Sequence, residues 1–279
     1  MCDCDSDSVD SYYETVLKLT KEAGKLINEK IKIRNKKREI KSSNIDLVTE
    51  TDQAVEKLLI DGLSKEFTTH KFIGEETVSS GGALELTDAP TWIIDPIDGT
   101  LNFVHSYPHS CVSIALFINK VPEIGIIFNP MLNQLFTARK GQGAFLNGEP
   151  IHVSDTKELS EALLMLEGGT SQEPERMNAV CENVKNLLPV VHGLRSLGSA
   201  ALNMAMVAAG GSDAYFEFGI HIWDIAAGEL IVREAGGVVI DPDGGDLKRF
   251  SRRVLCASTQ ELAEKLARKL VQVYPEPDA

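Results

Sequence analysis

Apolar and polar positions alternate along the chain with two periods, and the change from one to the other outlines the fold. From Val9 the residues Val9, Tyr13, Val16, Ala23 and Ile27 recur at helical spacing with Lys and Glu between them, which predicts an amphipathic helix. Thr49-Glu50-Thr51-Asp52 opens a second helix, with Thr49 as a cap, Asp52 in the first turn, and Ala54, Leu58 and Leu63 as the expected buried stripe. Short apolar runs at 71–74 and 92–94 each end in carboxylates, as strands do when they deliver polar groups to a sheet edge, and residues 79–90 form the loop between them. Segments 111–119, 123–130 and 134–140, with turns at Asn119-Lys120 and Pro130-Met131, predict an antiparallel meander. Beyond Gly148, strands at 163–166, 190–194, 213–218, 237–240 and 254–257 alternate with helices at 175–188, 199–209, 224–235 and 259–273. The expectation is an α/β protein in which an α+β half, residues 1–150, packs on an α/β half, residues 151–279, as a single compact catalytic unit.

Composition narrows the function. The 279 residues are 43% hydrophobic and 25% charged, the usage of a globular protein with a core that needs no disulfides. With 41 acidic against 28 basic side chains the formal net charge is −13, a field that repels nucleic acid and anionic membranes and attracts cations. An anionic substrate would need something positive in its site, and a bound metal serves that purpose. Five scattered cysteines, Cys2, Cys4, Cys111, Cys181 and Cys256, read as free thiols of a reducing compartment, and no segment reads as a signal peptide or a membrane span, so a cytoplasmic protein is expected. The basic run at 30–41 reads as a solvated helix end and strand, and His70, His152 and His192 read as surface or loop residues.

The informative stretch is Trp92-Ile93-Ile94-Asp95-Pro96-Ile97-Asp98-Gly99-Thr100. Pro96 stiffens the backbone after a strand, so Asp95 and Asp98 can be held toward one point, a costly pairing unless a cation lies between them. Oxygen donors without His or Cys favour Mg²⁺, the Ile97 carbonyl offers another oxygen, and the amides of Gly99 and Thr100 can receive a phosphate. Gly74-Glu75-Glu76 and Trp223-Asp224 supply further carboxylates from other elements. Asp-Pro-x-Asp-Gly is also an ordinary turn sequence, Ser199 an ordinary helix cap, and Glu217 an ordinary strand-end acid.

Asp95-Pro-Ile-Asp-Gly-Thr100, Gly74-Glu-Glu76, and Trp223-Asp-Ile-Ala-Ala-Gly228 with Glu234-Ala-Gly-Gly237 resemble the signatures of the inositol monophosphatase family, Mg²⁺-dependent and lithium-sensitive phosphatases. Asn102-Phe103-Val104-His105 and Phe218-Gly219-Ile220-His221 are similar to the monophosphatase branch rather than its bisphosphatase relatives. The resemblance implies a layered αβαβα sandwich of the sugar phosphatase type and a homodimeric assembly in the family's manner. It implies two or three Mg²⁺ held by Glu75, Asp95, the Ile97 carbonyl, Asp98 and Asp224. Substrate contacts are implied for Glu75, Ile97, Asp98, Gly99, Thr100, Gly198, Ser199, Ala200, Glu217 and Asp224. Glu75, Thr100 and Asp52 are the implied catalytic residues, Asp52 orienting the Thr100 hydroxyl. The implied reaction is hydrolysis of myo-inositol monophosphates by metal-activated water, with no Ser or Cys elbow for a covalent route. Two alternatives stay open: a related phosphatase acting on a nucleotide 3′-phosphate or sugar bisphosphate, or a catalytically silent metal- or phosphate-binding relative. No extra basic residue stands beside the motifs to take a second phosphate.

Overall fold

The computed structural model describes residues 6–33, 38–40, 47–169 and 173–278. Cys2, Cys4 and positions 34–37 and 41 of the basic run lie outside them. In chain order the elements are α1 (Ser6–Lys30), β1 (Arg38–Ile40), β2 (Leu47–Thr49), α2 (Glu50–Glu66), β3 (Lys71–Gly74), α3 (Glu75–Ser79), β4 (Thr91–Asp98) and α4 (Thr100–His105). A meander follows, β5 (Cys111–Ile118), β6 (Val121–Asn129), β7 (Gln134–Arg139), β8 (Ala144–Leu146) and β9 (Glu149–Ile151). The rest is β10 (Leu163–Leu166), α5 (Pro174–Leu187), β11 (Gly193–Arg195), α6 (Ala200–Ala208), β12 (Ala214–Phe218), α7 (Ile222–Glu234), β13 (Val238–Ile240), β14 (Arg253–Ala257) and α8 (Gln260–Ala267).

Two sheets and three helical layers alternate. A seven-stranded sheet runs in the order β3-β4-β5-β6-β7-β8-β9, parallel only between β3 and β4. A five-stranded sheet has the order β11-β10-β12-β14-β13, with β10 parallel to both its neighbours. Strand β4 sends Trp92 and Ile94 toward a core shared with Val16 and Ile27 of α1 and Leu59 of α2, while Ile93 faces the opposite core with α6 and α7. That second core includes Tyr215 and Cys256, so α6 and α7 are sandwiched between the sheets. The far face of the smaller sheet, with Leu164, Phe216 and Leu255, is covered by α5 and α8 through Leu187 and Leu262. Coverage on both faces explains why β4 and β5 are buried along their full lengths and read as continuous apolar runs. The result is the expected αβαβα sandwich.

Several local expectations shift. Helix α2 buries Val55, Leu59 and Leu63, while Ala54 is exposed and Leu58 half-buried, because the capping box turns Asp52 inward and fixes which stripe faces the sheet. Strand β11 starts at Gly193, since the amides of Val190 and Val191 still bond back to Leu187 at the end of α5. Helix α8 stops at Ala267. The chain beyond it is held extended by Asn183, which pairs with both main-chain groups of Val271 at 2.7 and 3.0 Å, and by Arg253, which donates to the Val273 carbonyl at 2.9 Å. His70 is buried rather than a surface residue, accepting from the Trp92 indole at 3.0 Å. Among the described residues, no helix is long and apolar enough to cross a membrane.

Candidate active site

The expected end of strand β4 at Ile94 is corrected by a bulge that carries the chemistry. The strand continues to Asp98, but Asp95 pairs with Ser113 and Asp98 with Cys111, so two residues of β4, Pro96 and Ile97, face one of β5. In a regular strand, positions three apart point to opposite faces. The extra residue returns Asp98 to the side of Asp95. Gly99 follows with φ 82°, and a Cβ there would stand 2.9 Å from the carbonyl oxygens of both Gly198 and His109, so only glycine makes this turn into α4.

Asp224 meets the two aspartates from the other side. It sits in the first turn of α7 and its carboxylate accepts the His221 amide at 2.5 Å, the return half of a capping box. Carboxylate oxygens of Asp95, Asp98 and Asp224 lie within 4.8 Å of one another. Ligands of an octahedral Mg²⁺ with bonds of about 2.1 Å are separated by roughly 3 to 4.2 Å, so modest side-chain rotation closes the set. Asp95 Oδ1 is buried and, among the described residues, has no hydrogen-bond partner. A buried acceptor without a donor is what a cation would satisfy. Burial pushes Asp95 well above the usual carboxylate range, with repulsion from Glu75, Asp98 and Asp224 adding to it. Asp224 is raised by burial and then by Asp98. Asp98 rises only to about 6, because bonds from the Ser199 hydroxyl at 2.6 Å and the Ala201 amide at 2.7 Å oppose its burial. Three carboxylates that resist ionisation together and carry no His or Cys among them suit a hard divalent ion.

Glu75 begins α3, which packs beside this cluster because Glu56 of α2 accepts the Glu76 amide at 2.8 Å and the Thr77 amide at 2.9 Å. The Glu75 carboxyl hydrogen-bonds that of Asp95. The Thr100 hydroxyl lies 3.1 Å from Asp52 Oδ1 and 3.0 Å from the Ile97 carbonyl. Asp52 is pushed up to about 6 by burial, against hydrogen bonds from Thr49. Thus Glu75, Asp95, Ile97, Asp98, Gly99, Thr100, Gly198, Ser199, Ala200, Glu217 and Asp224 all line one cavity of about 1170 Å³, with Asp52 behind Thr100.

The donors at 198–200 are already engaged. The Gly198 amide donates to Glu167 at 2.7 Å, Ser199 both caps α6 and donates to Asp98, and the Ala200 amide also bonds Asp98. Glu217, beside the Tyr215 hydroxyl that donates to it, is pushed up to about 8 by burial and the charge of Glu167. Sequence reasoning missed Glu167, which also holds the Leu197 amide at 2.7 Å and Asn203 at 2.8 Å. Its signal was available: it directly follows β10, at the carboxyl end of parallel strands where sites form. It also missed Arg176 and Arg252, two cations that line the cavity from outside the motifs, beside which no extra basic residue stands. Their positions depend on tertiary packing and leave no local signature.

A sequence model of the inositol monophosphatase family matches residues 8–274. The chain belongs to the inositol monophosphatase family. It is 48% identical over 258 residues to inositol monophosphatase 1 of Homo sapiens, covering 92% of each chain, and 47% identical over 253 residues to that of Rattus norvegicus, covering 90% of this chain and 91% of the relative. The structure of the Thermotoga maritima IMPase superimposes with a TM-score of 0.82 at 33% identity, over 93% of this chain and 96% of the other. Family membership and the acidic cavity together make this chain a phosphatase, and its αβαβα layers are those of the family's solved structures.

Proposed function

We propose that the enzyme hydrolyses myo-inositol monophosphates to inositol and phosphate with Mg²⁺, two or three ions per site, held by Glu75, Asp95, the Ile97 carbonyl, Asp98 and Asp224. The observation that carries this reading is the convergence of Asp95, Asp98 and Asp224 within 4.8 Å around a buried acceptor that has no donor among the described residues. The ions, when bound, supply the positive charge that neutralises the phosphate and acidifies an attacking water. Residues of the chain do the rest. Asp52 accepts the Thr100 proton, which leaves the hydroxyl oxygen free to accept from a water beside Glu75. Ser199 and the Ala200 and Ala201 amides hold Asp98 in place, and Glu217, mostly protonated at neutral pH, faces the polyol hydroxyls.

Residues 1–150 supply Glu75, Asp95, Asp98 and Thr100, and residues 151–279 supply Asp224 and Glu217, so the two halves work as one catalytic unit. Lithium sensitivity and a homodimer follow from the family resemblance alone. The free thiols of Cys111, Cys181 and Cys256 support a cytoplasmic setting. The test is phosphate release from inositol 1-phosphate with Mg²⁺ and with chelator. Turnover that requires Mg²⁺ is expected, and release that persists in chelator rejects the reading.

A further inference from the structure

Arg176, in the first turn of α5, is only 6% exposed, yet among the described residues its Nε has no hydrogen-bond partner. Burying a guanidinium without acceptors is costly, so such a group marks either a defect or a ligand position. Its placement is tightly built. A Cβ on Gly169 or on Gly219 would come within 1.9 Å of its terminal nitrogens, so the fork is seated between two stretches of main chain that only glycine leaves open. Gly219 also joins it to Arg252, whose Nη2 donates to the Gly219 carbonyl at 3.2 Å, while the Gly219 amide donates to the Arg252 carbonyl at 2.6 Å. Arg252 Nε likewise has no hydrogen-bond partner among the described residues, with Asp278 standing 3.6 Å away. Both arginines line the cavity that holds Asp95, Asp98 and Asp224.

Arg252 is ion-paired with Asp278 and its Nη2 lies 3.2 Å from His221 Nε2, whereas Arg176 has no ion pair among the described residues. Burial and then repulsion from Arg252 make the Arg176 proton easier to lose than that of an ordinary arginine. Its acidic neighbours are Glu217, pushed up to about 8, and more weakly Glu173. A buried guanidinium without a paired acceptor that lines an open cavity favours an anion there, and its planar fork matches a phosphate.

We propose that Arg176 and Arg252 form a second-phosphate subsite, which extends the substrate class to phosphomonoesters carrying another phosphate elsewhere on the same molecule. The inference rests on the phosphatase reading of the cavity above. Glu173, Glu175 and Glu276 also line the cavity and repel free anions. The subsite therefore takes a phosphate delivered by a substrate already anchored at the carboxylate cluster, where tethering raises its local concentration.

Calorimetric titration in Mg²⁺ with inositols carrying non-hydrolysable phosphonates separates binding from turnover. The probes are the 1-phosphonate and the 1,3- and 1,4-bisphosphonates, which reach both flanks of the ring. Wild-type enzyme is expected to bind at least one bisphosphonate about tenfold or more tightly than the 1-phosphonate. Arg176→Met removes that preference, Arg176→Lys keeps the charge without the fork and restores only part of it, and Arg252→Gln, at a more exposed position, lowers it in a protein less prone to misfold. Equal affinity for all three probes, or a preference that survives in folded Arg176→Met and Arg252→Gln, overturns the subsite alone. Binding of none of them overturns the phosphatase reading and the subsite with it.

Discussion

At the scale of single residues, Asp52 has the most exposed prediction. Burial places its titration at about 6, and only its ionised form can accept the Thr100 proton. Turnover is expected to rise with pH through about 6. Asp52→Asn should cost roughly 10²-fold in kcat, within the range for a lost proton acceptor, and should erase that acid limb. Thr100→Ala should cost about as much, and the double variant little more than either, since the two side chains act as one unit. A pH profile of Asp52→Asn that keeps the wild-type limb would place the titrating group elsewhere.

At the scale of elements, the bulge in β4 and the turn after it set the geometry. Gly99→Ala forces an L-residue into φ 82° with two carbonyl oxygens at 2.9 Å, so a loss of about 2 kcal/mol or more in denaturant stability is expected together with reduced turnover. Ser199→Ala removes a cap worth about 1 kcal/mol and one bond to Asp98, so kcat should fall by roughly tenfold while the chain still folds. Normal turnover in that variant would show that Asp98 needs no support from α6. The bulge itself was half-legible in the sequence: Pro96 signals that β4 changes character, yet strand periodicity alone cannot say whether the chain turns away or inserts a residue and continues. The carboxylates of the site were readable because they stand in a short contiguous motif or open a helix. Glu56, Arg176 and Arg252 were not, since each acts on a partner distant in sequence and looks locally like any helix or loop charge.

At the scale of the whole molecule, stability and function oppose each other around the cavity. Asp98 at about 6 and Glu217 at about 8 both hold protons in the folded state that they release more readily when unfolded. For raised carboxylates the stabilisation is complete below the unfolded values of 3.8 and 4.5, and it is lost as pH rises through the folded ones. Metal-free protein should therefore melt about a few degrees lower at pH 8 than at pH 6, and Mg²⁺ should raise the melting temperature more at pH 8. A metal-free protein more stable at pH 8 would contradict that account of the cavity. The layered architecture was legible from periodicity because each layer has a distinct pattern, but the strand order was not, since β12 and β14, the latter starting 35 residues after the former ends, pair through tertiary contacts alone.

The central claim is that Asp95, Asp98 and Asp224, brought together from β4 and α7, hold the divalent ion. Calorimetric titration of Mg²⁺ into wild-type protein and into Asp95→Asn, Asp98→Asn and Asp224→Asn tests it most directly. Saturable binding in the wild type, weakened about tenfold or more in each folded variant, is the predicted result. Undiminished Mg²⁺ affinity in all three folded variants would contradict it.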